Sequence, residues 1–202
     1  MSTWERPLVA LDTTTGKAAW KVPTVKKAAI AFSPCGRWFA AAATVRDNAK
    51  KAWLATLSCL AAESGQVLWT VPLGEGLLVS LAWSPDGETI LGAAGDWALA
   101  PDGERRGTAT LTFFAAIDGR ACGQVPWSSG VDAIAIAPGG KRLAIASHDQ
   151  LVVLSLPDGA EIARGTGGQE SLIDCAFGGD GTVLAVGRDV NLGPAVLELR
   201  AT

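Results

Sequence analysis

Apolar and small residues recur along the chain in short runs, many alternating with polar positions, and the runs break at glycine-bearing turns. A period of two is the pattern of a strand with two unlike faces. Four passages repeat one form: AFSPCGRWFA, AWSPDGETIL, AIAPGGKRLAIA and AFGGDGTVLAV, turning at Gly36, Gly87, Gly140 and Gly181. A second kind of turn precedes each: DTTTG ending at Gly16, AAESG at Gly65, AAIDG at Gly119 and LPDG at Gly159. The separations from second kind to first are 20, 22, 21 and 22 residues. Two turn families in near-constant phase predict a tandem array of small antiparallel sheets.

The third repeat is the most compact and sets the frame. VDAIAIA (131–137), RLAIAS (142–147), LVVLSL (151–156) and EIAR (161–164) are four short strands joined by tight turns, called a to d. Four-stranded units at this period form propellers or solenoids. The expected fold is all-β: a β-propeller of about four four-stranded antiparallel blades in one domain. The units span approximately 28–72, 78–126, 131–164 and 171–200, and residues 7–23 supply extra outer strands. Because the repeats open at strand c and close at strand c, the array is either closed by its terminal strands or an open arc of a larger ring. Alanine is a poor strand former; its abundance in strands a and b suits the crowded taper near a propeller axis. Residues 39–63 read as helix on propensity alone, but the repeat phase favours two strands and a connection.

Composition narrows the setting. The hydrophobic content of 49% supports a substantial core, yet no apolar run approaches membrane-spanning length. MSTWERPLVA lacks the basic-then-apolar form of a secretory leader. A net charge of −3 argues against nonspecific nucleic-acid binding, which needs a basic surface. Cys35, Cys59, Cys122 and Cys175 are widely spaced with no CxxC, so they read as unpaired thiols in a reducing, cytoplasmic compartment. With a single histidine, no histidine-rich metal site is possible.

The Ser-Pro-x-Gly turn between apolar strands in AFSPCGRWFA and AWSPDGETIL resembles bacterial WD-repeat propellers, and AIAPGGKRLAIASHDQLVVLSLPDG resembles a degenerate whole repeat. The chain has no Gly-His before strand a and no Trp-Asp ending strand c; only Ser147 and Asp149 map onto that family's polar positions. ALDTTTGKAAWKV (10–22) and AAESGQVLWTV (61–71) are similar to the quinoprotein-type repeat, in which a strand-d tryptophan follows the glycine turn. That resemblance implies that Trp20 and Trp69 pack between neighbouring blades, with Trp69 largely buried. In the second blade Cys122 and Gly123 depart from it. The resemblance is structural and implies no cofactor.

Candidate chemistry is sparse. Ser147-His148-Asp149 holds the residue types of a triad, but consecutive strand residues point to opposite faces and cannot form one together. Gly165-Thr166-Gly167-Gly168 hints at an anion cradle, yet strand-like SLIDCAF follows where a helix is required. The Asp-Gly pairs are turn chemistry. The sharper clue is length. From a–b turn to c–d turn the intervals are 29, 32 and 19 residues in the first three repeats, so repeats one and two carry about ten extra residues between strands b and c. These expected loops share a face with the d–a connections and hold Arg46, Lys50, Lys51, Trp53, Trp97, Arg105 and Arg106, with Trp127 and Arg188 beside them. Acidic residues, among them Asp47, Glu75, Asp96 and Asp189, are interspersed on the same face. Mixed charge with tryptophan suits a protein partner or self-association rather than nucleic acid or membrane. The expected function is a noncatalytic, WD-repeat-like interaction scaffold working through this face. The alternatives are a quinoprotein-like enzyme or accessory-propeller fragment, and a structural fragment completing another chain's ring.

Overall fold

The computed structural model describes residues 7–22, 28–48, 52–99, 105–125, 127–166, 171–179, 182–189 and 193–200. Every regular element among them is a strand. β1 (Leu8–Leu11) and β2 (Ala18–Val22) form a two-stranded sheet. β3 (Ala28–Phe32), β4 (Trp38–Asp47), β5 (Ala52–Ala61) and β6 (Val67–Glu75) form the next. A third holds β7 (Leu77–Trp83), β8 (Thr89–Leu99), β9 (Arg105–Ala115) and β10 (Ala121–Val125), and a fourth β11 (Ala133–Ile136), β12 (Arg142–Ser147), β13 (Gln150–Ser155) and β14 (Glu161–Thr166). β15 (Ser171–Phe177), β16 (Thr182–Asp189) and β17 (Gly193–Arg200) make the last. Within each sheet, order in space follows order in sequence. The alanine-rich stretch 39–63 is strand, with β4 paired residue for residue from Trp38↔Ala61 to Asp47↔Ala52. Burial between neighbouring sheets overrides its helical propensity.

The first strands of the four larger sheets, β3, β7, β11 and β15, pack side by side and form the inner side of the array. Among the described residues the sheets are an open succession: β1–β2 and β15–β17 are separate sheets, not joined by pairing.

Each core cluster lies between two consecutive sheets, and strand alternation distributes the side chains. Ile90 of β8 belongs to the cluster shared with the preceding sheet, and its neighbour Leu91 to the one shared with the next. On β12, Leu143 and Ile145 face backward while Ala144 and Ala146 face forward. Both faces of these second strands are therefore buried, and alanines such as Ala40, Ala42, Ala93 and Ala144 are inaccessible to solvent. Small side chains let the inner strands approach closely.

Two recurring ties hold the turns and the junctions between sheets. In the a–b turns, Ser33 and Ser84 accept from the amides of Trp38 and Thr89 through their hydroxyls, at 3.1 and 2.9 Å, closing the tight loop from within. The second tie is an indole. Trp20 Nε1 donates to the Ala62 carbonyl at 3.0 Å, and Trp69 Nε1 to the Ala116 carbonyl at 2.9 Å. In both cases a strand-d tryptophan reaches the c–d turn of the following sheet. The turn glycine makes room for it: a Cβ on Gly65 would stand 2.7 Å from the Trp20 ring, and one on Gly119 would stand 2.6 Å from the Trp69 ring. Both glycines also have positive φ, 70° and 74°, a region that side chains disfavour. Trp20 further stacks on Phe39, ring centroids 5.5 Å apart. Trp69 is half-buried rather than largely buried, because an outer strand lies at the rim of the sheet stack. Trp83 adds a tie on the inner side, donating to the Ala31 carbonyl at 2.8 Å.

These contacts give a coupled pair of substitutions. Gly119→Ala is expected to cost about 1–2 kcal/mol for the left-handed backbone and roughly 1–3 kcal/mol more for crowding the indole. In a Trp69→Ala background the crowding component vanishes, so the two changes are non-additive in urea unfolding. Gly36→Ala, with φ +69° but nothing within 4 Å of its Cβ, should show only the backbone cost. Additive effects of Gly119→Ala and Trp69→Ala would contradict the indole–turn contact.

Candidate interaction face

Strand direction alternates, so the b–c hairpins and d–a connections emerge on one face and the a–b and c–d turns on the other. Most of the extra residues of the first two repeats are strand rather than loop. They lengthen the strands: β4 and β5 stay paired to Asp47↔Ala52, and β8 and β9 to Leu99↔Arg105. β16 and β17 pair to Asp189↔Gly193, whereas β12 and β13 stop at Ser147↔Gln150. With 10 and 11 residues in β4 and β8 against 6 in β12, the longer hairpins project further by roughly 14–17 Å, at about 3.4 Å per residue. The face is thus stepped, with the short hairpin flanked by longer ones. The d–a connection from the first four-stranded sheet to the second is tight. β6 runs to Glu75, Gly76 alone leads into β7, and the Gly76 amide donates to the Trp53 carbonyl at 2.8 Å, anchoring the first arm at its base.

The candidate residues fall on this relief as follows. Arg46 and Trp53 are directly cross-strand on the first arm, the guanidinium carbon 5.2 Å from the indole centroid. Trp97 pairs with Gly107, Ala98 with Arg106, and Leu99 with Arg105, all in strand on the second arm. Arg188 pairs with Pro194 on the fourth. Lys50 and Lys51 lie outside the described residues. Trp127 is part of the scaffold: half-buried, it packs on the core between the second and third four-stranded sheets and donates from Nε1 to the Gly130 carbonyl at 3.2 Å.

At the short hairpin His148 turns the chain with φ +53°. Its amide donates to Asp132 Oδ2 at 2.7 Å, and its carbonyl accepts from the Leu172 amide at 2.5 Å. Ser147 is buried, its hydroxyl 3.4 Å from that of Ser129. Asp132 and Ser129, on the d–a connection, thus brace the turn, and neither stands out in sequence; the only signal is a short polar stretch before an alternating strand. Gly165 and Thr166, the first half of the suspected anion cradle, end β14; Gly167 and Gly168 lie outside the described residues. Nearby, Arg164 hydrogen-bonds Gln150 and pairs with Glu161 at 2.6 Å, an interaction that lowers the carboxyl's affinity for its proton and raises that of the guanidinium. No group of three or more histidine, cysteine or acidic residues among those described is placed to hold a metal. No helix among them is long and apolar enough to cross a membrane.

Successive antiparallel sheets, first strands inward and tryptophans at the junctions, define an open β-propeller arc, and solved structures agree. Kuenenia stuttgartiensis hydrazine synthase matches with a TM-score of 0.74 and 16% identity, over 99% of this chain and 66% of that one. The β-propeller domain of Myceliophteria thermophila Cps50 (Swd1) matches with a TM-score of 0.57 and 17% identity, over 79% of this chain and 48% of that one. The chain therefore spans less than two thirds of either protein. No family model and no curated protein matches it.

The four thiols are free and differ sharply in environment. Cys35 sits exposed in the first a–b turn, where the Ser33 hydroxyl, then the Arg37 amide and guanidinium, stabilise its thiolate and bring its pKa down to about 7. Burial pushes Cys59 up to about 11 and Cys175 up to about 12. Iodoacetamide at pH 7.5 should therefore alkylate Cys35 first, and Cys59 and Cys175 only on unfolding. The Cys35 rate should fall about tenfold per pH unit well below pH 7 as the thiolate is protonated. Peptide mapping of the alkylated sites reads this directly; early modification of Cys59 would contradict the buried core.

Proposed function

We propose that the chain is a noncatalytic protein-interaction scaffold whose partner-binding surface is the stepped face of b–c hairpins and d–a connections. The observation that carries this reading is the Arg46–Trp53 pair, held across a long, fully paired hairpin rather than on a loop. Rigid presentation of tryptophan and arginine lowers the entropy lost on binding. Trp97, Arg105, Arg106 and Arg188 would extend the surface over the second and fourth arms. Trp127 is left to the core. The partner is a protein, or a second copy of this chain, in a reducing, cytoplasmic setting suited to four free thiols.

A second reading, an accessory propeller of a larger enzyme, is favoured by one observation. Nearly the whole chain superposes on part of hydrazine synthase. Under either reading His148 performs no chemistry, because its role is to turn a hairpin.

Arg46 is exposed and Trp53 half-buried, and cation–aromatic pairs at the surface contribute only about 0.5–1 kcal/mol. The double variant Arg46→Ala/Trp53→Ala should therefore leave the unfolding free energy within about 1 kcal/mol of wild type. It should weaken partner binding at least tenfold, about 1.4 kcal/mol. The partner can be fixed by introducing a photo-cross-linking residue at position 53 and, as control, at position 117 on the opposite face. Cross-links confined to position 117, or full partner affinity in the double variant, would remove the proposed surface. Turnover by the purified chain that disappears in a correctly folded His148→Ala variant would end the noncatalytic reading.

A further inference from the structure

The indole tie is missing at the junction between the second and third four-stranded sheets. Trp20 and Trp69 each stand four residues after their turn glycine, opposite Ala10 and Cys59 in the neighbouring strand. The same position in the sheet β7–β10 is Gly123, opposite Phe113. Nothing local demands a glycine there: its φ lies outside the left-handed region, and a Cβ would meet only Phe113 Cδ2, at 3.9 Å. In place of an indole there is a cleft of about 320 Å³ between this sheet and the next, lined by Phe113, Gly123, Ile136, Leu156 and Pro157, with Ser84 among its polar groups. That volume is at the lower end of small-ligand pockets, about 300–1,000 Å³. The turn on its far side matches the two that receive indoles: the Leu156 amide bonds the Lys141 carbonyl as Ala62 bonds Arg37 and Ala116 bonds Glu88. Leu156, three residues before its turn glycine, holds the sequence position of Ala62 and Ala116, whose carbonyls accept from Trp20 and Trp69.

The strand bearing Gly123 is also an open edge. β10 is the outermost strand of its sheet, and Ala121 to Gln124 are all exposed. A strand added alongside β10 would direct the side chain opposite Gly123 to the same face of the sheet, into the cleft.

We propose that this cleft is a receptor for a tryptophan side chain carried on an extended partner polypeptide that pairs with the β10 edge. The indole enters between Phe113 and the Leu156-Pro157 turn and donates its N–H to the Leu156 carbonyl, as the chain's own tryptophans do at the two preceding junctions. The site lies on the face opposite the hairpin arms and is independent of the scaffold reading above.

The test is amide chemical-shift mapping on the full chain with the blocked peptide Thr-Val-Trp-Val-Thr. The counterpart with leucine at the centre and N-acetyltryptophanamide serve as comparisons. Saturable shifts are expected around residues 113, 122–124 and 156–159, with the leucine peptide and the amide each at least tenfold weaker. Gly123→Trp should abolish peptide binding and raise the unfolding midpoint by filling the cleft from within; Gly123→Val, a smaller plug, serves if the tryptophan variant does not fold. No saturable shifts at millimolar peptide, shifts elsewhere, or undiminished binding in the plugged variant would overturn the proposal. Equal affinity for the amide alone would replace the strand partner with a free indole compound.

Discussion

The contact between a strand-d indole and the glycine turn of the following sheet organises much of this fold. Its two halves depend on each other. The turn needs glycine for its positive φ, and that same glycine, having no side chain, leaves the space in which the indole lies. The indole in return covers the turn and satisfies a carbonyl that the strand ladder leaves over. A short outer strand, weak by itself, is thereby fastened to its neighbour, and the sheets acquire a fixed spacing. Inside that spacing the second strands are buried on both faces, which makes alanine a suitable residue despite its low strand propensity.

Much of the architecture was legible because it is periodic. Turn glycines recur at constant intervals, and the alternation between them decides which neighbouring sheet each side chain meets; Ile90 and Leu91, adjacent in sequence, belong to different cores. Trp20 and Trp69 stood out because they follow the turn at a fixed distance. The insertions were located correctly but misjudged as loops, since residues such as Trp97 and Arg105 become strand only through pairing with each other. Trp127 could not be told apart from a surface tryptophan, because its hydrogen bond ends on a backbone carbonyl, which carries no sequence signature. The bracing of His148 by Asp132 was hidden for the same reason. Whether the ends meet is decided by sheet geometry summed over the whole array, a quantity no single repeat encodes.

The two faces are built to different rules. On one, the a–b and c–d turns are short and stereotyped, tightened by the hydroxyls of Ser33 and Ser84 and by the docked indoles. On the other, hairpin length varies from repeat to repeat without disturbing the sheets below, since added cross-strand pairs extend outward. Variation in one dimension thus leaves the packing of the remaining molecule intact. The single-residue connection at Gly76 shows how little chain is needed to pass from one sheet to the next.

Every tie described between sheets, from Trp20 to Cys175 against the Ala144 carbonyl, reaches only the adjacent sheet. Stability in such a stack is a sum of nearest-neighbour couplings rather than the property of one shared core. The junction at Gly123, without its indole, is then a weak link in the series, where a cooperative transition would divide into segments. Loosening would pass along the molecule as it does along a zipper, and any molecule that fills that gap would join two semi-independent halves into one unit.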